Sequence, residues 1–69
     1  MQLRFFEFET NDPIETFQVR GGVPQEKERL NLHDPKTGDD RVATVKAISG
    51  LASEGDRISC DVFVAWDAL

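Results

Sequence analysis

The chain has 69 residues, with 8 Lys and Arg against 13 Asp and Glu and a formal net charge of −5. That length admits one small domain, residues 1–69, burying only about 60% of the unfolded surface, and the single cysteine, Cys60, excludes an intramolecular disulfide. The acid excess opposes non-specific nucleic-acid binding, which rests on neutralising phosphates with Lys and Arg. Arg4, Arg20, Lys27, Arg29, Arg41, Lys46 and Arg57 are dispersed along the chain and read as part of a solvated surface. No apolar run approaches the roughly 20 residues of a membrane-spanning helix, and the N-terminus lacks a signal-peptide core. A lone cysteine suits a reducing compartment, so a cytoplasmic protein is expected.

Residues 3–9 are rich in aromatics and predict a first strand. Leu3, Phe5 and Glu7 fall on one face, with Arg4, Phe6 and Phe8 on the other. Asn11, Asp12 and Pro13 signal a turn, because Asn and Asp bond their own backbone and Pro fixes φ. A second strand follows over residues 14–19. A turn at residues 10–13 sets Phe6 opposite Phe17 and Arg4 opposite Val19. A one-residue slip sets Phe5 against Phe17 but also opposes Glu7 to Glu15, and charge repulsion favours the first register.

Gly21, Gly22, Val23 and Pro24 break the chain again. Residues 24–29 have helix-forming composition, with Pro24 suited to a first helical position. Leu30 and Leu32, however, are spaced by two, which predicts a loop with at most one helical turn and then a short strand over residues 28–33. The segment from Asp34 to Gly38 closes a hairpin. Residues 41–49 then form a fourth strand, residues 50–56 a flexible loop and residues 57–66 a fifth strand.

That last strand carries the cleanest alternation. Ile58, Cys60, Val62, Val64 and Trp66 share one face at period two, and Cys60 among them reads as a small core residue. The other face holds Ser59, Asp61, Phe63 and Ala65, of which Phe63 does not suit a purely solvated surface. Pairing Val45 with Val62 and Ala43 with Val64 puts Ala47 opposite Cys60 and Lys46 opposite Asp61. It also sets Arg41 opposite Trp66, an arrangement that allows a cation–π contact. The slipped register buries Lys46 against Cys60, which costs several kcal/mol, and the first is preferred.

Short strands separated by Gly, Pro and Asn turns predict an all-β fold. The expected form is a small five-stranded antiparallel meander closing into a half-open barrel, SH3-like or OB-like in architecture. The alternative is α+β, an antiparallel sheet covered by one short helix from residues 24–32.

Residues 33–40 hold the densest set of potential ligands, but the spacing departs from a calcium loop at Lys36, and a hairpin turn accounts for Asp34, Pro35 and Gly38. His33 is the only histidine. Its neighbour Asp34 points to the opposite face of a strand, and Ser49, Ser53 and Ser59 lack a nucleophile context. Gly21 and Gly22 lack the further glycine and lysine of a phosphate loop. A chain this short also leaves little room for a pocket of the usual roughly 300–1,000 Å³. No catalytic residue, metal ligand or cofactor is assigned, and a non-enzymatic protein is expected.

The aromatics carry the remaining signal. Phe5, Phe6 and Phe8 cover both faces of one strand, so at least one lies outside the core. A patch of Val42, Phe63 and Ala65, with Phe5 or its neighbours, is expected to meet a protein partner or a second copy. Asp61 and Asp67 would form an acidic rim that favours a basic partner. A second class is an acidic inhibitor or nucleic-acid mimic. A third is an OB-like binder of single-stranded nucleic acid, stacking bases on Phe6, Phe8 or Phe17 beside Arg4 and Arg20. Nucleic acid is the less expected partner, and no membrane partner is expected.

Overall fold

A computed structural model of the chain describes residues 1–20, 22–50, 52–55 and 57–68. The strands are β1 (Gln2–Glu7), β2 (Pro13–Gln18), β3 (Arg29–His33), β4 (Asp40–Ile48), β5 (Ala52–Glu54) and β6 (Arg57–Trp66). They form one sheet in the order β2-β1-β6-β4-β3, with β5 pairing against β6 beside β4's end. The sheet curls into a half-barrel, so the all-β, half-open architecture predicted from the alternation is present.

Two features depart from a five-stranded antiparallel meander. First, β1 pairs with β6 in parallel, from Gln2 beside Ser59 to Glu7 beside Val64, which makes the sheet mixed. Parallel neighbours need a long crossover, and here it is everything between β1 and β6. Strand β6 is apolar at every second residue over its length and must be flanked on both edges to bury that face. Secondly, part of the segment read as a loop over residues 50–56 forms β5. The residues of that segment at positions 51 and 56, and Gly21 of the glycine pair, lie outside the described residues.

The helix considered for residues 24–32 does not form; among the described residues there is no helix, and none long and apolar enough to cross a membrane. A single turn stands in its place. The Glu28 amide donates to the Gln25 carbonyl (3.1 Å), and the Gln25 amide donates to the Glu28 carboxylate (3.1 Å). Lys27 then takes a positive φ of 72°, and its amide donates to the Val45 carbonyl, which delivers the chain into β3.

The core is Leu3, Phe5, Leu32, Ala43, Val45, Cys60, Val62 and Val64, all inward-facing strand residues. Burying side chains of this size contributes about 1.5–3 kcal/mol each for the larger ones. Ile58 was expected among them but is 46% exposed. It pairs with Ser53 in the β5–β6 hairpin, below the point at which β1 begins to flank β6.

Neither predicted register survives intact, and each pairing also contains a bulge. In the first hairpin Leu3 faces Phe17 and Arg4 faces Thr16, because the turn begins earlier than Asn11-Asp12-Pro13 suggests. The Glu7 amide reaches the Asp12 carbonyl, and Asn11 supplies the positive φ of 63° that Asn tolerates. A bulge at Ile14 then brings Pro13 opposite Phe6. In the last hairpin Ala43 faces Trp66 and Val45 faces Val64, a shift of two that preserves the inward face. Lys46 is the extra residue of a second bulge, after which Ala47 faces Phe63 and Ile48 faces Val62. Lys46 is thereby exposed and not paired with Asp61. Arg41 still reaches Trp66 diagonally, 5.1 Å above its ring.

Candidate functional site

The outer face of the central strands carries the patch. Alternation that turns Phe5 and Val62 inward turns their neighbours Phe6 and Phe63 outward. The parallel β1–β6 register then sets these two rings side by side, stacked with centroids 5.6 Å apart and planes 27° apart. Both are half-buried. A shallow depression of about 340 Å³ is lined by Phe6, Phe63, Asn11 and Asp61. Ala65 follows Phe63 on the same face, and Val42 lies further along β4, 38% exposed. Phe8, at the start of the β1–β2 turn, is 50% exposed.

Of the four residues expected in this patch, Val42, Phe63 and Ala65 share the outer face, whereas Phe5 does not. Phe5 is 4% exposed in the core, edge-on to Phe17 with centroids 5.7 Å apart. Its place beside Phe63 is taken by Phe6, which the pairing of β1 with β6 selects and hairpin reasoning does not reach. The expected rim is present, but it is paired. Arg4 Nε donates to Asp61 Oδ1 at 2.7 Å. Asp67 accepts from the Thr44 hydroxyl at 2.7 Å and from Arg29 at 2.6 Å. The Thr44 hydroxyl first, then Arg29, holds the Asp67 carboxyl below its ordinary range.

The aromatics suggested for base stacking do not come together. Phe6 is on the outer face, Phe8 is in the turn and Phe17 faces the inner side with Leu3. Phe17 instead borders a larger feature, the gap where the barrel fails to close. Strands β2 and β3 are the two ends of the sheet path and face each other without a ladder between them. The groove there is about 440 Å³ and is lined by Leu3, Phe5, Phe17, Val23, Leu30 and Leu32, among others. A cavity of that size was not expected from chain length; it exists because the sheet stops short of closure.

One end of this gap is latched by polar groups. The His33 amide donates across it to Glu15 Oε2 at 2.8 Å. Lys36, in the β3–β4 turn, reaches Asp12 at 2.8 Å and Glu7 at 3.7 Å in and beside the β1–β2 turn. The hydrogen bond from Lys36 lowers the Asp12 pKa, and the same contact raises that of Lys36.

The acidic turn over residues 33–40 uses carboxylates internally. Asp34 is 3% exposed; it accepts from the Lys36 amide (2.9 Å) and from Arg41 Nη1 (2.9 Å), contacts that lower its pKa, the amide being the stronger cause. His33 Nδ1 lies 3.1 Å from Asp40 Oδ1 on the exposed side of that hairpin. Among the described residues no three His, Cys, Asp or Glu are grouped so as to hold a metal ion. Cys60 is buried, its thiol directed at the Ser49 carbonyl (3.3 Å), and burial pushes its pKa up, as for an unreactive core residue. Compared with protein-family models, with curated proteins and with solved structures, the chain matches none.

Proposed function

We propose that the protein is a non-enzymatic binding module that meets a protein partner through the outer face of β1, β6 and β4. The observation that carries this reading is the Phe6–Phe63 stack on a face that alternation would otherwise leave polar. Aromatic side chains at the centre of a patch, excluded from full burial and bordered by charged pairs, have the composition of an interface core with a polar rim. Ala65 and Val42 extend the apolar surface around the stack along β6 and β4. The paired rim favours a partner that carries charges of both signs over a purely basic one. Arg4 and Asp61 alternate with Arg29 and Asp67 along the border.

The same pairing weighs against the nucleic-acid mimic. Glu7, Asp12, Asp34, Asp61 and Asp67 each lie within 4 Å of a Lys or Arg nitrogen, so these carboxylates form no uninterrupted negative face. Placement of Phe6, Phe8 and Phe17 on separate surfaces weighs against the single-strand binder, which needs successive bases on one platform.

Photo-crosslinking tests the reading. The chain is made with benzoyl-phenylalanine in place of Phe63 and irradiated in extract of its native host. A discrete adduct is expected that excess unlabelled wild type suppresses and excess Phe6→Ser/Phe63→Ser does not. Suppression by both competitors equally, with the double variant folded by circular dichroism, rules the face out. Light scattering on the purified chain separates a foreign partner from a second copy.

A further inference from the structure

A second surface is marked by hydrogen-bonding groups and by apolar side chains, and both call for the same kind of occupant. In the β3–β4 pair the Asp34 amide bonds the Asp39 carbonyl and the Val45 amide bonds the Glu28 carbonyl. In an antiparallel ladder hydrogen-bonded rungs alternate with non-bonded ones. Leu30 and Leu32 therefore bond to β4, while the amides and carbonyls of Arg29, Asn31 and His33 point away from it. The His33 amide confirms the phase, because it leaves the ladder for Glu15. On β2 the Val19 amide bonds the Met1 carbonyl, so Phe17 and Glu15 bond to β1 while Thr16 and Gln18 point outward.

The two margins of the gap thus present backbone donors and acceptors toward each other, over a floor of apolar side chains. The latch of Glu15 and Lys36 holds one end, and Val23 and Phe17, which is 40% exposed, are among the residues that line the groove. We infer that this open seam accepts an extended segment of another protein, which pairs with the Arg29–Asn31 edge of β3 and seats alternate apolar side chains between Phe17 and Leu30. Two edge residues spaced by two supply the donor and acceptor pairs of a short ladder, as in recognition by strand addition. The groove volume, about 440 Å³, lies within the roughly 300–1,000 Å³ of ordinary binding pockets. A second copy is a poor occupant: its own β2 and β3 edges face its own seam, and its β5 has only three residues. The segment must lack proline at its pairing positions, because proline has no amide to donate.

This surface is separate from the Phe6–Phe63 face, and the experiment distinguishes the two. The probe is a random twelve-residue peptide display library, selected on the intact chain. Selected peptides are mapped by amide chemical-shift changes and hydrogen exchange. The expected peptides alternate apolar residues, shift Phe17, Arg29, Leu30 and Asn31, and slow exchange of the Arg29 or Asn31 amide. N-methylation of the two alternate amides that pair is expected to weaken binding at least tenfold, as is Phe17→Asp. The inference is overturned by selection of no peptide, by peptides that shift Phe6 and Phe63 instead, or by equal affinity after N-methylation at each register. Concentration-dependent shifts of Arg29 and Asn31 without peptide also overturn it, in favour of a second copy. The N-methyl comparison uses wild-type protein, so it holds if Phe17→Asp does not fold.

Discussion

Asp34 shows how a single residue binds two levels of the structure together. Its carboxylate accepts from the Lys36 amide, which shapes the β3–β4 turn, and from Arg41, whose guanidinium lies over Trp66. The side chain is 4% exposed against 23% for Arg41, so removing it strands a largely buried cation as well as a turn amide. Asp34→Ala is expected to cost about 1–3 kcal/mol, the range for leaving buried polar groups unsatisfied. Asp34→Asn retains an acceptor for the Lys36 amide and is expected to cost less. Urea unfolding of the two variants checks the order; equal losses would assign the whole effect to the charge. The acidic cluster around Asp34 was visible in the sequence, but its role was not. One-dimensional spacing shows which carboxylates are near in the chain, and Arg41 reaches Asp34 only once the hairpin has formed.

At the scale of the element, the bulge at Lys46 decides which side chains β4 buries. Ala43 and Val45 point inward, and strict alternation would next bury Ala47 and expose Ile48. Inserting Lys46 as an unpaired residue reverses the phase, so Ile48 packs on the core and Lys46 stays in water. Deleting Lys46 alone leaves Ala47 outward and Ile48 inward, whereas deleting Lys46 and Ala47 together places Ile48 directly after Val45 and turns it outward. The double deletion is expected to destabilise the fold by about 2–4 kcal/mol. Lys46→Gly keeps the extra residue and is expected to change stability by no more than about 1 kcal/mol. Urea midpoints of the two proteins test this; similar losses would mean that the lysine and not the insertion matters. The signal was present in the sequence, since Val45 and Ile48 are three apart where alternation needs an even spacing. Reading that interval as a bulge requires knowing that both residues are buried, and burial is a tertiary property.

For the whole molecule, the polar latch and the other paired carboxylates make stability depend on pH. Asp12, Asp34 and Asp67 have pKa values below the ordinary 3.8, through bonds chiefly from Lys36, the Lys36 amide and Thr44 respectively. A carboxylate whose pKa is lower in the folded chain adds stability above its unfolded value, and that contribution disappears as pH falls through the folded value. Lys36 has the opposite sense: its raised pKa adds stability below 10.5 that is lost as pH climbs through the folded value. The urea midpoint is therefore expected to be higher at pH 7 than at pH 3. The fall between them should be smaller in Asp12→Asn/Lys36→Ala, which has no such pair to lose. An undiminished fall would show that the latch contributes nothing to the dependence. The pair is exposed, so salt should weaken it too.

By itself the sequence determined the local facts that follow from period and turn chemistry. The inward face of β6 from Cys60 to Trp66, the strand at Leu30 and Leu32, the hairpin at Asp34 to Gly38 and the all-β class depend on neighbours a few residues apart. It also identified Phe63 as an anomaly on an outer face. Only the tertiary structure decided what stands beside Phe63 and where the sheet ends. Placing β1 parallel to β6 brings together residues at opposite ends of the chain, sending Phe5 to the core and Phe6 to the surface. Hairpin pairings are constrained by the turns between them, whereas this long-range pairing is chosen by the burial of β6 on both edges. The same choice leaves β2 and β3 as the unjoined ends, and hence the open seam.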